Sequence, residues 1–119
     1  MSTSLPIKVQ ELQEQLCLGI AEGMPKGWES VRFHYEHYPT ETETHEMHTS
    51  SCIVGGKELD YDLSLDAIDL LVEIKSLIEQ AGQEPWTHID FTLSANGKYK
   101  MEFMYGTPPL VAGLYGSNA

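Results

Sequence analysis

The residues best suited to metal or acid–base chemistry are the five histidines of this 119-residue chain. Four of them form two pairs, His34 with His37 and His45 with His48, and imidazoles are common metal ligands. In a strand, a separation of three residues directs the two rings to opposite faces, so neither pair can chelate an ion alone. His34 could still meet a histidine of a neighbouring strand. We predict no metal site and no catalytic role, and expect these histidines to face solvent or an interface.

Carboxylates form two groups, one before and within the second predicted strand and one leading into the second predicted helix. Such groups can serve acid–base catalysis or bind calcium, but the glycine and terminal glutamate of an EF-hand loop are missing here. Two interpretations stay open: a solvated acidic face, and a patch that docks against lysines and arginines of a partner. Our candidates for partner binding are Glu41, Glu43, Glu46, Asp60, Asp62, Asp66 and Asp69.

Motifs that carry covalent or redox chemistry are missing from the sequence, which contains no nucleophile elbow, phosphate-binding glycine loop, zinc signature or redox cysteine pair. The two cysteines, Cys17 and Cys52, are too few for a disulfide framework, and we expect both to fill the core. We therefore predict a protein that is not an enzyme and needs no cofactor. An enzyme that uses the histidines and carboxylates stays an alternative.

The charge balance, 18 acidic against 7 basic residues, gives a net charge of −11. A field of this sign repels nucleic acid and attracts basic proteins, although it can also serve solubility alone. The length is that of one domain, predicted over residues 1–119. No apolar run is long enough to span a membrane, and the first residues lack the features of an export signal. We expect a cytoplasmic protein that binds neither membranes nor nucleic acid.

Apolar spacing predicts the secondary structure. The predicted elements are a helix over 7–22, strands over 29–38 and 45–54, a short strand over 57–63, a helix from the N-cap Ser64 to Gly82, and an irregular tail over 106–119. The order α-β-β-(β)-α-β-β indicates an α+β fold, in which two helices pack against a four- to five-stranded antiparallel sheet.

The strongest local pattern is a C-terminal hairpin. A two-residue loop at Asn96 and Gly97 would pair apolar with charged residues and mix the faces of the sheet. A three-residue loop that begins at Ala95, with Gly97 left-handed, instead places Leu93 opposite Tyr99 and keeps every apolar pair on one face. We therefore predict the three-residue loop.

This hairpin and the segment before it resemble a known family. The run Gly82-Gln83-Glu84-Pro85-Trp86 before a strand, followed by Asn96-Gly97-Lys98-Tyr99-Lys100, is similar to the signature of YezG-type immunity proteins. Met24-Pro25 and Trp28-Glu29-Ser30-Val31 resemble the family's amino-terminal pattern, so the likeness extends from about Leu12 to Tyr105. Its signature residues here serve the fold, and they are Trp28, Gly82, Pro85, Trp86 and Gly97.

The resemblance implies a cytosolic immunity protein that binds a cognate, basic nuclease toxin one to one, with a ribonuclease expected ahead of a deoxyribonuclease. Such an inhibitor can cover the active site with acidic groups that stand in for phosphates, or hold an adjacent surface so that the large substrate clashes. The acidic charge favours the first route. The alternative function is an acidic adaptor or chaperone-like module that pairs with clients through an exposed sheet edge.

Overall fold

The structure is a computed structural model that describes residues 4–114. The elements in chain order are α1 (Leu5–Glu22), β1 (Trp28–Pro39), β2 (Thr44–Val54), β3 (Lys57–Asp60), α2 (Leu65–Gln80), β4 (His88–Ser94), β5 (Tyr99–Met104) and α3 (Pro109–Leu114). The five strands form one antiparallel sheet in the order β3-β2-β1-β4-β5. This confirms the predicted α+β fold. No helix within residues 4–114 is both long and apolar enough to span a membrane.

The central strand β1 pairs with β2 along nearly its whole length and with β4 from Ser30 to Glu36. Because side chains alternate along a strand, its odd-numbered residues Val31, Phe33 and Tyr35 share one face, on which all three are buried. We call this the inner face. The opposite face, which carries Arg32, His34 and Glu36, is the outer face.

Helices α1 and α2 cover the inner face. Their buried residues recur every three or four positions, as the amphipathic pattern predicts, and belong to the same core cluster as the inner-face strand residues. The helical members of that cluster are Leu12, Leu16, Ile20, Ala67, Leu71, Ile74 and Ile78. The outer face therefore has neither of the two long helices above it.

The predicted ends of α2 are confirmed by their hydrogen bonds. Ser64 accepts a hydrogen bond from the backbone N–H of Ala67 at 3.1 Å, as an N-cap does. At the other end Gly82 has φ +77°, and the N–H of Gln83 donates to the carbonyl of Ile78, which is a Schellman cap. Beyond Pro85, the fully buried Trp86 fills the junction between α2 and the sheet.

The C-terminal hairpin has the predicted register. Leu93 pairs with Tyr99 and Phe91 with Met101, and Gly97 is left-handed with φ +90°. The N–H of Ser94 donates to the carbonyl of Lys98 at 2.8 Å, which closes the three-residue loop. The remaining signature residue, Trp28, packs against the core at the start of β1.

The main differences from the predictions lie at α1, β3 and the tail. Helix α1 begins at Leu5, because a proline is tolerated in the first turn of a helix. Strand β3 ends at Asp60, before the buried Leu63. The predicted irregular tail over 106–119 is wrong for residues 109–114, which form α3. Proline suits the first turn of α3, and the side chain of Val111 is buried. Residues 115–119 lie outside the described residues.

Two glycine substitutions test the hairpin geometry. Replacing Gly97 with alanine adds a Cβ at φ +90° in open space, so the left-handed backbone alone should cost about 1 kcal/mol of unfolding free energy. The matched control Gly19→Ala lies on the exposed side of α1, also in open space, and should stabilise by about 0.5–1 kcal/mol. Urea unfolding of both variants measures these changes. A Gly97→Ala protein as stable as the parent would contradict the three-residue loop.

Candidate functional site

The seven carboxylates chosen from the sequence are all exposed, and two of them, Glu46 on β2 and Asp60 on β3, lie at the same side of the sheet. Asp60 is paired with Ser51 at the edge strand β3, and the next residue, Tyr61, exchanges hydrogen bonds with Ser50 of β2. Asp62 follows in the connection to α2. We call the set the acidic edge: Glu41, Glu43, Glu46, Asp60, Asp62, Asp66 and Asp69.

Two members of the acidic edge, Glu46 and Asp69, lie close to the hydroxyl of Tyr35. The Tyr35 hydroxyl donates a hydrogen bond to Glu46, and Asp69 of α2 lies close enough to act on the same hydroxyl. Burial, followed by these two carboxylates, raises the pKa of Tyr35. The structure thus brings together residues from β2 and α2 that are separated in sequence. Glu41 and Glu43 lie beyond them, in and next to the connection between β1 and β2.

Beneath this end of the sheet lies a buried cation that sequence reasoning missed. Lys75 is 3% exposed, donates to the His37 carbonyl at 2.7 Å and lies 5.2 Å from the centre of the Trp86 ring. Burial lowers the pKa of Lys75, whereas the nearby Glu79 raises it by less. This contact ties α2 to the end of β1 and so supports the carboxylates above it. The burial of Lys75 could not be predicted from the pattern of apolar residues in α2, because the charged end of a helical lysine usually reaches solvent.

The outer face carries an open depression and, beside it, a buried polar network. The depression has a volume of about 670 Å³, with serine and threonine side chains in its lining and charged residues around them. Arg32 forms a long ion pair with Glu58 at 3.7 Å, and Lys100 forms a shorter ion pair with Glu102 at 3.1 Å. These exposed pairs contribute little to stability.

The network centres on Glu36, whose side chain is fully buried although it belongs to the outer face. Its carboxylate lies 2.7 Å from His34 Nε2 and 3.2 Å from His45 Nε2. It also accepts hydrogen bonds from the backbone N–H groups of Leu110 at 2.9 Å and Val111 at 3.2 Å, both in α3. Burying a carboxylate is costly unless it is hydrogen-bonded, and four donors meet that requirement.

His34 bridges two carboxylates, because its Nδ1 lies 2.7 Å from Asp90 while its Nε2 contacts Glu36. An imidazole can donate from both nitrogens only when it is cationic. Burial opposes that charge, but the hydrogen bonds to Glu36 and Asp90 outweigh it and raise the pKa of His34. For Glu36, burial is likewise outweighed by its hydrogen bonds, chiefly from His34 and Leu110, and its pKa is lowered.

The histidine prediction is wrong for two residues, since His45 and His88 are buried inside the molecule. His34 does meet a histidine of a neighbouring strand, because the ring centres of His34 and His88 are 5.9 Å apart. Burial and the charge of His34 lower the pKa of His88. Among residues 4–114, no group of three or more His, Cys, Asp or Glu side chains is arranged to hold a metal ion. This burial could not be predicted from the sequence, because the segment that forms α3 was predicted to be irregular.

Both cysteines are free thiols, and they contribute to packing as predicted. Cys52 belongs to the core, and Cys17 packs against it. Burial and the nearby Glu14 raise the pKa of Cys17 to about 11, so its thiol stays protonated at neutral pH. A protonated thiol is a poor nucleophile.

Comparison with known protein families gives a match. The model of the family described as "Immunity protein YezG-like" matches residues 17–108, which is more than half of the chain. The matched range contains the whole sheet, helix α2 and all seven residues of the acidic edge. No curated protein matches the chain.

Removal of the Glu36 carboxylate tests the buried network. The Glu36→Ala substitution leaves two imidazoles and two backbone N–H groups without their acceptor, and should lower the free energy of unfolding by about 3 kcal/mol. The matched control Glu102→Ala removes an exposed carboxylate of the same face and should cost less than about 0.5 kcal/mol. Urea unfolding at pH 6 compares the two. Equal, small losses would show that the network does not support the fold.

Proposed function

The chain belongs to the YezG-like immunity protein family, and we propose that it binds and neutralises a cognate nuclease toxin in the cytosol, a ribonuclease ahead of a deoxyribonuclease. The family match over residues 17–108 carries this proposal. The net charge of −11 supports it independently, because proteins that act on nucleic acids present basic surfaces. Neutralisation needs a tight one-to-one complex and no chemistry by the inhibitor itself.

The acidic edge is the surface that we propose for the toxin. Its carboxylates are exposed and come from three different parts of the chain. Glu46 and Asp60 lie on one border of the sheet, separated along β2 by the five residues from Glu46 to Ser51, a length of roughly 17 Å. Carboxylates held along such a border can pair with the lysines and arginines with which a nuclease binds phosphates. Occlusion of the nuclease active site is therefore the route that we favour over binding to an adjacent surface.

The support beneath the acidic edge suits this role. Glu46 is hydrogen-bonded to Tyr35 of the central strand, and Lys75 fixes α2 to the end of β1. Charged groups held on rigid elements lose less conformational entropy on binding than groups on mobile loops. The acidic edge is thus partly pre-organised for a partner that presents its own fixed charges.

Co-expression with the toxin domain encoded beside this protein tests the proposed function. We expect the toxin alone to stop growth, and growth to resume when this chain is present. Transfer RNA and chromosomal DNA, isolated from both cultures, identify the target as the polymer that is degraded without the immunity protein and intact with it. Continued killing in the presence of folded, abundant protein would contradict the proposal.

Charge reversal tests the binding surface. The variant Glu41→Lys/Asp60→Lys/Asp62→Lys should lower the association rate constant with the toxin by about tenfold or more at low salt, and by less at high salt. The matched control Glu11→Lys/Glu14→Lys/Glu22→Lys changes net charge equally on the exposed side of α1, which packs toward β5 through Gln13. Surface plasmon resonance measures both. Equal losses in the two variants would mean that net charge, and not the acidic edge, governs binding.

One structural feature favours the alternative function of an adaptor. The edge strand β3 pairs only with residues 51–54 of β2, and β5 is the other edge strand of the sheet. Unpaired strand edges can accept extended client segments. Many clients of moderate affinity would support this alternative, whereas a single tight partner supports immunity.

A further inference from the structure

The contact between Glu36 and α3 joins residues that are 74 and 75 positions apart in sequence. Helix α3 spans only Pro109–Leu114, too short to be stable by itself. It is held on the outer face by the burial of Val111 and by the two hydrogen bonds to the carboxylate of Glu36. The preceding turn is attached by a hydrogen bond from the Thr87 hydroxyl to the Gly106 carbonyl at 2.7 Å. The charged group among these contacts is the carboxylate of Glu36.

We propose that Glu36 is a pH-dependent latch, which holds α3 over the histidine-lined half of the outer face while it is ionised and releases the helix when it is protonated. A carboxylate accepts all four hydrogen bonds, whereas a protonated carboxyl group must use one oxygen as a donor. The imidazoles around it have no acceptor to offer in return when they are cationic. Protonation therefore removes acceptor capacity at the point where α3 is attached.

The groups that face Glu36 set the pH range of the latch. They are His34 on its own strand, His45 on β2, and His88 and Asp90 on β4, while residues 109–113 of α3 contain no titratable side chain. The pKa of Glu36 is lowered from 4.5, so its contribution is complete above 4.5 and is lost as the pH falls through the lowered value. The pKa of His34 is raised from 6.5, so its contribution is complete below 6.5 and is lost as the pH rises through the raised value. The latch is therefore strongest between pH 4.5 and 6.5.

Events at acidic pH reinforce one another. His88, whose pKa is lowered, becomes cationic only after His34, and its charge then repels that of His34 across 5.9 Å between ring centres. Protonation of Glu36 next removes an anion that favours both of these cations. Release of α3 would also extend the open depression, because His34 and Asp90 line it and belong to the network. Acid would then convert a half-covered outer face into a continuous open one.

Amide hydrogen exchange of the full chain, followed by NMR, tests the latch. We lower the pH from 6 until the carboxyl carbon resonance of Glu36 shows that its side chain is protonated. Over that transition we expect the protection factors of the Leu110 and Val111 amides to fall by roughly tenfold or more, because each loses a hydrogen bond to a charged acceptor. Amides of β1 and β4, such as those of Phe33 and Phe91, should keep their protection. Retained protection of both α3 amides once the Glu36 carboxyl is protonated would overturn the proposal, and so would their loss only together with that of the sheet.

A substitution pair separates the latch from general effects of acid. Glu36→Gln keeps the size of the side chain without the charge, so at pH 6 its α3 amides should already be as weakly protected as those of the parent with Glu36 protonated. The matched control Glu102→Gln, an exposed carboxylate on the same face, should behave like the parent throughout the titration. Full α3 protection in a folded Glu36→Gln protein would overturn the proposal. If Glu36→Gln does not fold, the titration of the parent chain decides alone.

Discussion

The alternation of side chains along β1 is the constraint on which the rest of the structure depends. This strand lies in the middle of the sheet, so its odd-numbered residues must enter the core that α1 and α2 cover. Its even-numbered residues are thereby placed on the opposite face, where Glu36 needs donors because α3 buries it. The neighbouring residues Tyr35 and Glu36 consequently have different structural roles. Tyr35 contacts the acidic edge, and Glu36 holds the C-terminal helix.

The carboxylates of the acidic edge and the carboxylate of the buried network differ in their exposure to water. Along the edge, carboxylates stay in water, where they cost little and can attract a basic partner over a distance. In the network, one carboxylate is withdrawn from water and neutralised by imidazoles and backbone N–H groups. A partner can therefore use the first set without disturbing the fold, whereas any change to the second affects folding before it affects binding.

The sequence predicted those parts of the fold that local patterns determine. Period-two alternation and the requirement for matched faces gave the register of Leu93 with Tyr99, and capping rules gave Ser64 and Gly82 as the ends of α2. Features that depend on contacts between distant segments were not predicted. They are the burial of Glu36 by α3 and the burial of Lys75 against His37. The segment from Gly106 onward was predicted to be irregular because it is rich in proline and glycine and has no apolar period. The acidic residues were chosen as candidates from the sequence, whereas the approach of Glu46 and Asp69 to Tyr35 required the structure.

Hydrogen exchange with mass spectrometry, comparing the free chain with the chain saturated by the toxin domain, tests most directly whether this member of the YezG-like immunity family binds a toxin through its acidic edge. We expect slower exchange in the peptides over residues 40–50 and 59–70, with no change in α1 or β5. Protection confined to α1 and β5, with the acidic edge exchanging as in the free protein, would contradict it.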